Sequence, residues 1–138
     1  MRLIDRVVSH DDLRIVCESD SHRAADHPLA IAGVLSIACG LEYGAQAMAI
    51  HGTLVGSGVP DSDPPESAAR HGYLVAAFDL TWSVERLDRC ASPLTIEAVR
   101  EFGSDNQVAY RFALSAAGES IMRGRAAVVL NVPGKQRA

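Results

Sequence analysis

The stretch Ile37-Ala38-Cys39-Gly40-Leu41-Glu42-Tyr43-Gly44-Ala45-Gln46-Ala47-Met48-Ala49-Ile50-His51 decides how this chain folds. It is too long for an ordinary strand and apolar nearly all round, which predicts a buried helix from about Ser36 to Val55. Ser36 is a fitting N-cap, and Gly52 or Gly56 a fitting stop. About 18 residues at 1.5 Å each span roughly 27 Å, the full width of a small domain. One long helix at the centre of a chain of 138 residues leaves room for one core, so one domain is expected over 1–138.

Strand signals surround the helix. Leu3-Ile4-Asp5-Arg6-Val7-Val8 and Leu13-Arg14-Ile15-Val16-Cys17-Glu18 flank the polar His10-Asp11-Asp12 and read as a hairpin. A polar loop runs from Ser19 to His27-Pro28-Leu29, where Pro28 pushes His27 towards extended geometry. Beyond the helix, the prolines of the stretch from about 56 to 71 exclude regular structure and predict a surface flap. Phe78, Leu80, Trp82 and Val84 then alternate with polar residues, as do Leu94, Ile96 and Ala98. Val108, Tyr110, Phe112 and Leu114 alternate with Ala109, Arg111 and Ala113, and a last strand is expected from Ile121 to Leu130. Short connections between these strands require antiparallel pairing. The expected class is α+β, an antiparallel sheet wrapped around one helix, with a frayed tail over about 133–138. Such a sheet leaves an edge strand and an apolar face open, which predicts a dimer.

Composition narrows the partners. Hydrophobic residues make up 48% and charged residues 22%, so the chain is not of the disordered class. Seventeen acidic against thirteen basic residues argue against nucleic acid. No apolar run is long enough, and free enough of charge, to span a membrane. The opening Met1-Arg2-Leu3-Ile4-Asp5-Arg6 turns charged too soon for a signal peptide, and Cys17, Cys39 and Cys90 form no CxxC pair. They read as buried thiols, and the protein as cytoplasmic.

Among residues that carry chemistry, Glu42 stands out. It is the one charged side chain between Ala30 and Val55. Burying a carboxylate without a partner is costly, and a carboxyl group in an apolar setting suits a general acid. Gln46, at i+4 on the same face, can orient it by a hydrogen bond. The plainer reading places Glu42 on a wet face, or in an ion pair with Arg70 or Arg123. His27 is a candidate base. His51, about 13 Å from Glu42 along the axis, could serve only across an interface, and packing or capping explains it as well. His22 and His27 lack metal-site spacing, and Gly56-Ser57-Gly58 lacks the context of a nucleophile elbow.

The hairpin start, the polar loop and Glu42-Tyr43-Gly44-Ala45-Gln46-Ala47 on an apolar helix resemble the hot-dog-fold 3-hydroxyacyl-[acyl-carrier-protein] dehydratases, with most similarity to the aryl-polyene-type branch. The resemblance covers most of the chain, from Leu3 to about Leu130. It implies a curved sheet around one helix, paired subunits, homo- or heterodimeric, and an acyl tunnel at their interface. It also implies that Glu42 is the catalytic acid, Gln46 a supporting, substrate-binding residue, and His27-Pro28-Leu29 the counterpart of the family's His-Phe-Pro loop. His27 would then remove the α-proton, and backbone N–H groups near Cys39 and Gly40 would polarise the thioester carbonyl. The substrate would be an acyl carrier protein or coenzyme A thioester, with neither metal nor organic cofactor. Two rivals stand beside this reading: a hot-dog thioesterase in which Glu42 activates water, and a non-catalytic subunit that shapes the tunnel of a partner dehydratase.

Overall fold

The computed structural model describes residues 2–56, 71–103 and 107–131. The flap expected over about 56–71 and the tail over about 133–138 therefore lie outside the described residues, apart from Gly56 and His71. Among the described residues, six strands and one α-helix run in the order β1 (Arg6–His10), β2 (Arg14–Ser19), α1 (Gly40–Gly56), β3 (His71–Trp82), β4 (Leu94–Gly103), β5 (Gln107–Ala116) and β6 (Glu119–Asn131). They form one antiparallel sheet in the spatial order β1-β2-β4-β5-β6-β3. Among the described residues, no helix is long and apolar enough to cross a membrane.

The turn between β1 and β2 closes on Asp11, whose Oδ1 accepts from the N–H groups of Leu13 and Arg14, both at 2.9 Å. This side-chain mimic of a backbone turn is why Asp at that position ends one strand and starts the next. Leu3 and Ile4 do not belong to β1; they run ahead of it as buried chain outside the strand.

The helix is preceded by a 3-10 turn, Ile37–Cys39, capped by Ser36, whose hydroxyl accepts from Ala38 N–H at 3.1 Å. The segment before it is pinned from across the fold. Leu87 N–H donates to Leu35 O at 2.8 Å, Ile37 N–H to Glu85 O at 2.9 Å, and Leu35 N–H to Asp88 Oδ1 at 3.0 Å. Arg86 holds the Asp88 carboxyl well below the usual carboxylate range, with the Leu35 N–H adding to the effect.

Small residues let α1 lie close on the sheet. A methyl carbon at Gly44 would sit 2.9 Å from Cδ2 of Phe112, and one at Gly40 would sit 2.8 Å from Sδ of Met122. Phe112 also approaches Gly124 of β6, so its ring is wedged between a helix glycine and a strand glycine. Tyr43, Ala47, Met48 and His51 complete the buried face. The helix is not buried all round, contrary to its composition: Glu42, Ala45, Gln46 and Ala49 form a half-covered stripe, and Leu54 is exposed.

The inward alternation of β4 and β5 holds, with Leu94, Ile96, Ala98, Val108, Tyr110, Phe112 and Leu114 all buried. On β3 it does not. Phe78 is 45% and Trp82 55% exposed, because β3 is an edge strand. Its pairing with β6 also shifts between Phe78 and Thr81, where Asp79 takes a positive φ of 57°. An extra residue at such a bulge reverses the facing of the strand residues after it. Val84 lies beyond the strand altogether.

Candidate active site

Glu42 sits in the first turn of α1, on the half-covered stripe. One turn on, Gln46 Nε2 donates to its Oε2 at 3.2 Å. Gln46 cannot present its amide either way round, because Leu3 N–H donates to Gln46 Oε1 at 2.8 Å. The N-terminal segment thus turns the NH2 end of Gln46 towards Glu42. Among the described residues no cation pairs with Glu42. Arg123, an ion-pair candidate, stands instead on β6 opposite Ala113 and Thr81.

The carbonyl of Leu3 is held as firmly as its N–H. Ser19 and Ser21 both donate to it, the latter at 2.8 Å. Ser21 Oγ also lies 2.7 Å from the hydroxyl of Tyr43, which in turn lies 3.1 Å from His27 Nε2. The other ring nitrogen, Nδ1 of His27, accepts from Leu29 N–H at 3.0 Å. His27 rides a run of tight turns, with its N–H on Ala24 O and its carbonyl taking Ala30 N–H. It is 5% exposed, and no direct hydrogen bond joins it to Glu42. Tyr43, one residue past Glu42, is fully buried; its hydroxyl is the hub the linear sequence did not reveal.

Two expected contributions fall elsewhere. Cys39 N–H is bonded to Ser36 O at 3.0 Å, and Gly40 N–H is taken up by the same 3-10 turn. The turn satisfies the donors a helix start otherwise leaves open, so neither amide is aimed at a ligand. Gly40 is buried under Met122 and Leu114, a packing position. Burial pushes the Cys39 thiol up, with the nearby Glu42 adding to the rise and Ser36 opposing it, so it is no activated nucleophile. His51 is also committed. Its Nε2–H donates to Asp11 O at 2.8 Å and its Nδ1 takes the Tyr110 hydroxyl at 2.7 Å, bolting the last turns of α1 to the β1–β2 turn and β5.

Desolvation is the largest influence on His22, His27 and His51, and holds all three below the ordinary histidine pKa. The unfolded chain therefore binds protons that the folded chain refuses, and stability falls as pH drops below about 6.5. Each histidine contributes at most about 1.4 kcal/mol per pH unit. The carboxyls held low, Asp11 and Asp88, lose their stabilising effect only at more acid pH. Thermal unfolding is expected to show a lower Tm at pH 5 than at pH 7.5; a flat profile would contradict the burial of these rings.

One long helix packed against a six-stranded antiparallel sheet is the hot-dog architecture, and solved structures agree. The chain is similar to the dehydratase heterocomplex ApeI:P from Xenorhabdus doucetiae, with a TM-score of 0.73 and 18% identity over 97% of this chain and 84% of that one. It is also similar to thioesterase HI1161 from Haemophilus influenzae, at 0.63 and 9% over 96% and 81%. A mutant thioesterase from Pseudomonas aeruginosa matches at 0.62 and 12% over 93% and 81%. No curated protein sequence matches the chain. The family model described as ApeP dehydratase matches residues 1–135, and the chain belongs to this ApeP-like family.

Proposed function

We propose that the chain dehydrates a 3-hydroxyacyl thioester, borne on an acyl carrier protein, to the trans-2-enoyl thioester, with Glu42 as the proton-transfer group. The observation that carries this reading is the Glu42–Gln46 pair. A carboxyl group stands on the half-covered stripe of an apolar helix, oriented by an amide and paired with no cation among the described residues. Dehydration breaks the α-carbon–hydrogen bond, sends that proton to a base, and expels the β-hydroxyl as water once an acid protonates it. Glu42 supplies the second proton. The family resemblance gives the first to His27.

The half-covered stripe, with Phe78 and Trp82 on the edge strand β3, supports work as a pair with a second hot-dog subunit. The relative from Xenorhabdus doucetiae is itself a heterocomplex, which favours a partner of different sequence. Family membership supports lyase chemistry, while the thioesterases of the same fold keep hydrolysis as a rival in which Glu42 activates water. Mass spectrometry of a 3-hydroxyacyl thioester incubated with the protein separates them. A 2-enoyl thioester is expected; release of the free acid would replace this reading with the thioesterase. Light scattering is expected to show a dimer, or a monomer that pairs when a second hot-dog subunit is added. A chain that remains monomeric with such a subunit present would overturn the paired arrangement.

A further inference from the structure

We infer that the outer face of the sheet, at Arg111, Arg123 and Arg125, docks a helix of a protein partner that presents a row of carboxylates. On β5 and β6, Tyr110, Phe112, Met122, Gly124 and Ala126 are buried, so the residues between them point to the outer face. The register sets Arg111 directly opposite Arg125, and Ala113 directly opposite Arg123. Three of these four neighbouring outward positions are therefore arginine. Like charges directly opposite each other oppose strand pairing, so the sheet gains nothing from this arrangement.

Carboxylates on this part of the face are too few to balance it. Glu101, at the β4 bulge, is shared: Arg111 Nη1 lies 2.9 Å from its Oε2, and Arg125 Nε 3.8 Å from its Oε1. Glu97, in the same row as Ala113 and Arg123, is taken by Arg14. Arg123 has no ion pair among the described residues. Four guanidinium groups thus share two carboxylates, a local excess of two positive charges on a chain of net charge −4. A groove of about 230 Å³ opens between Arg111 and Arg123, over Ala113 and Val99.

Spacing selects the occupant. Across the strands, Arg111 and Arg125 stand about 5 Å apart; along β6, Arg125 and Arg123 stand about 7 Å apart. Glutamates at i, i+4 and i+7 of a helix lie about 5–6 Å from one to the next, and each suits the paired N–H groups of one guanidinium. A lone phosphate would leave part of the block unmet. A continuous anionic surface, whether membrane or nucleic acid, would press on Glu97 and Glu101 beside the arginines. Phe78, opposite Arg125 and 45% exposed, adds an aromatic rim of the kind protein interfaces use.

The test uses the full chain and a synthetic helical peptide with glutamates at i, i+4 and i+7. In nitrogen-15 spectra at low salt, the peptide is expected to shift the Nε–H signals of Arg111, Arg123 and Arg125, each assigned by its loss in the glutamine variant. A peptide with glutamine in place of glutamate should leave them unmoved. Raising salt from about 25 to 300 mM should weaken binding tenfold or more, as screening requires. Arg123→Glu with Arg125→Glu should abolish it. Unchanged binding by that double variant overturns the inference, as do equal shifts from inorganic phosphate or anionic lipid vesicles at matched charge. Arg125→Gln leaves the Arg111–Glu101 pair intact, so its urea midpoint at low salt is expected to equal or exceed wild type. A lower midpoint would mean that the arginines serve the sheet itself, and would also overturn the inference. No turnover is read, so the outcome is independent of the dehydratase reading.

Discussion

Glu42→Gln is expected to lower turnover of a 3-hydroxyacyl thioester by a factor on the order of 10² to 10⁴, the usual contribution of a positioned acid or base. The substitution keeps size and shape, and the new amide oxygen can still accept from Gln46 Nε2, which now reaches Glu42 Oε2 at 3.2 Å. What is lost is the transferable proton. Stability is expected to change little, since no described cation leans on the Glu42 carboxylate and none is left unpaired by its removal. A structural role would give the opposite pairing, with turnover kept and stability lost. Both quantities are measured on one purified variant, turnover by 2-enoyl formation and stability by urea unfolding. Wild-type turnover in Glu42→Gln would end the catalytic assignment whatever the fold.

Phe112→Ala is expected to cost about 3–5 kcal/mol of folding free energy. The ring is 1% exposed and sits between Gly44 of α1 and Gly124 of β6, each with no side chain to move into the void. Collapse would require the helix itself to drop onto the sheet, so the cavity persists and its cost adds to the lost burial. Against a total stability of about 5–15 kcal/mol, the variant keeps half or less only towards the lower end of that range. Tm should fall on the order of 10 °C. Phe112→Leu, which leaves a smaller void, should fall between the variant and wild type. A loss below about 1 kcal/mol for Phe112→Ala would mean that α1 does not ride on this ring. Because α1 carries both Glu42 and Gln46, the alanine variant should also lose activity at temperatures where it is still folded.

Much of the architecture could be read along the chain because burial leaves a local trace. Alternation of apolar and polar residues across 94–98 and 108–114 records one covered face of a strand, and the structure buries Leu94, Ile96, Ala98, Val108, Tyr110, Phe112 and Leu114. The helix, the Ser36 cap of the 3-10 turn that leads into it, and the Glu42–Gln46 pair at i and i+4 are equally local features, each spanning about one or a few turns. Edge positions leave no such trace. Phe78 and Trp82 alternate as core residues do, yet β3 closes the sheet at its rim, and the bulge at Asp79 turns the pattern.

The sequence by itself determined that an apolar helix carrying one carboxylate would lie against an antiparallel sheet, since period and composition depend only on neighbours a few residues apart. Only the tertiary structure decided where the polar groups point. Tyr43 meets Ser21 and His27, Gln46 meets Leu3, and His51 meets Asp11 and Tyr110, partners 16 to 59 residues away. A hydrogen bond depends on distance and angle between two such groups, and no repeat along the chain encodes them. That is why the sequence could name His27 as a candidate base, while the direction of its lone pair emerged only once Leu29 N–H and Tyr43 were placed around the ring.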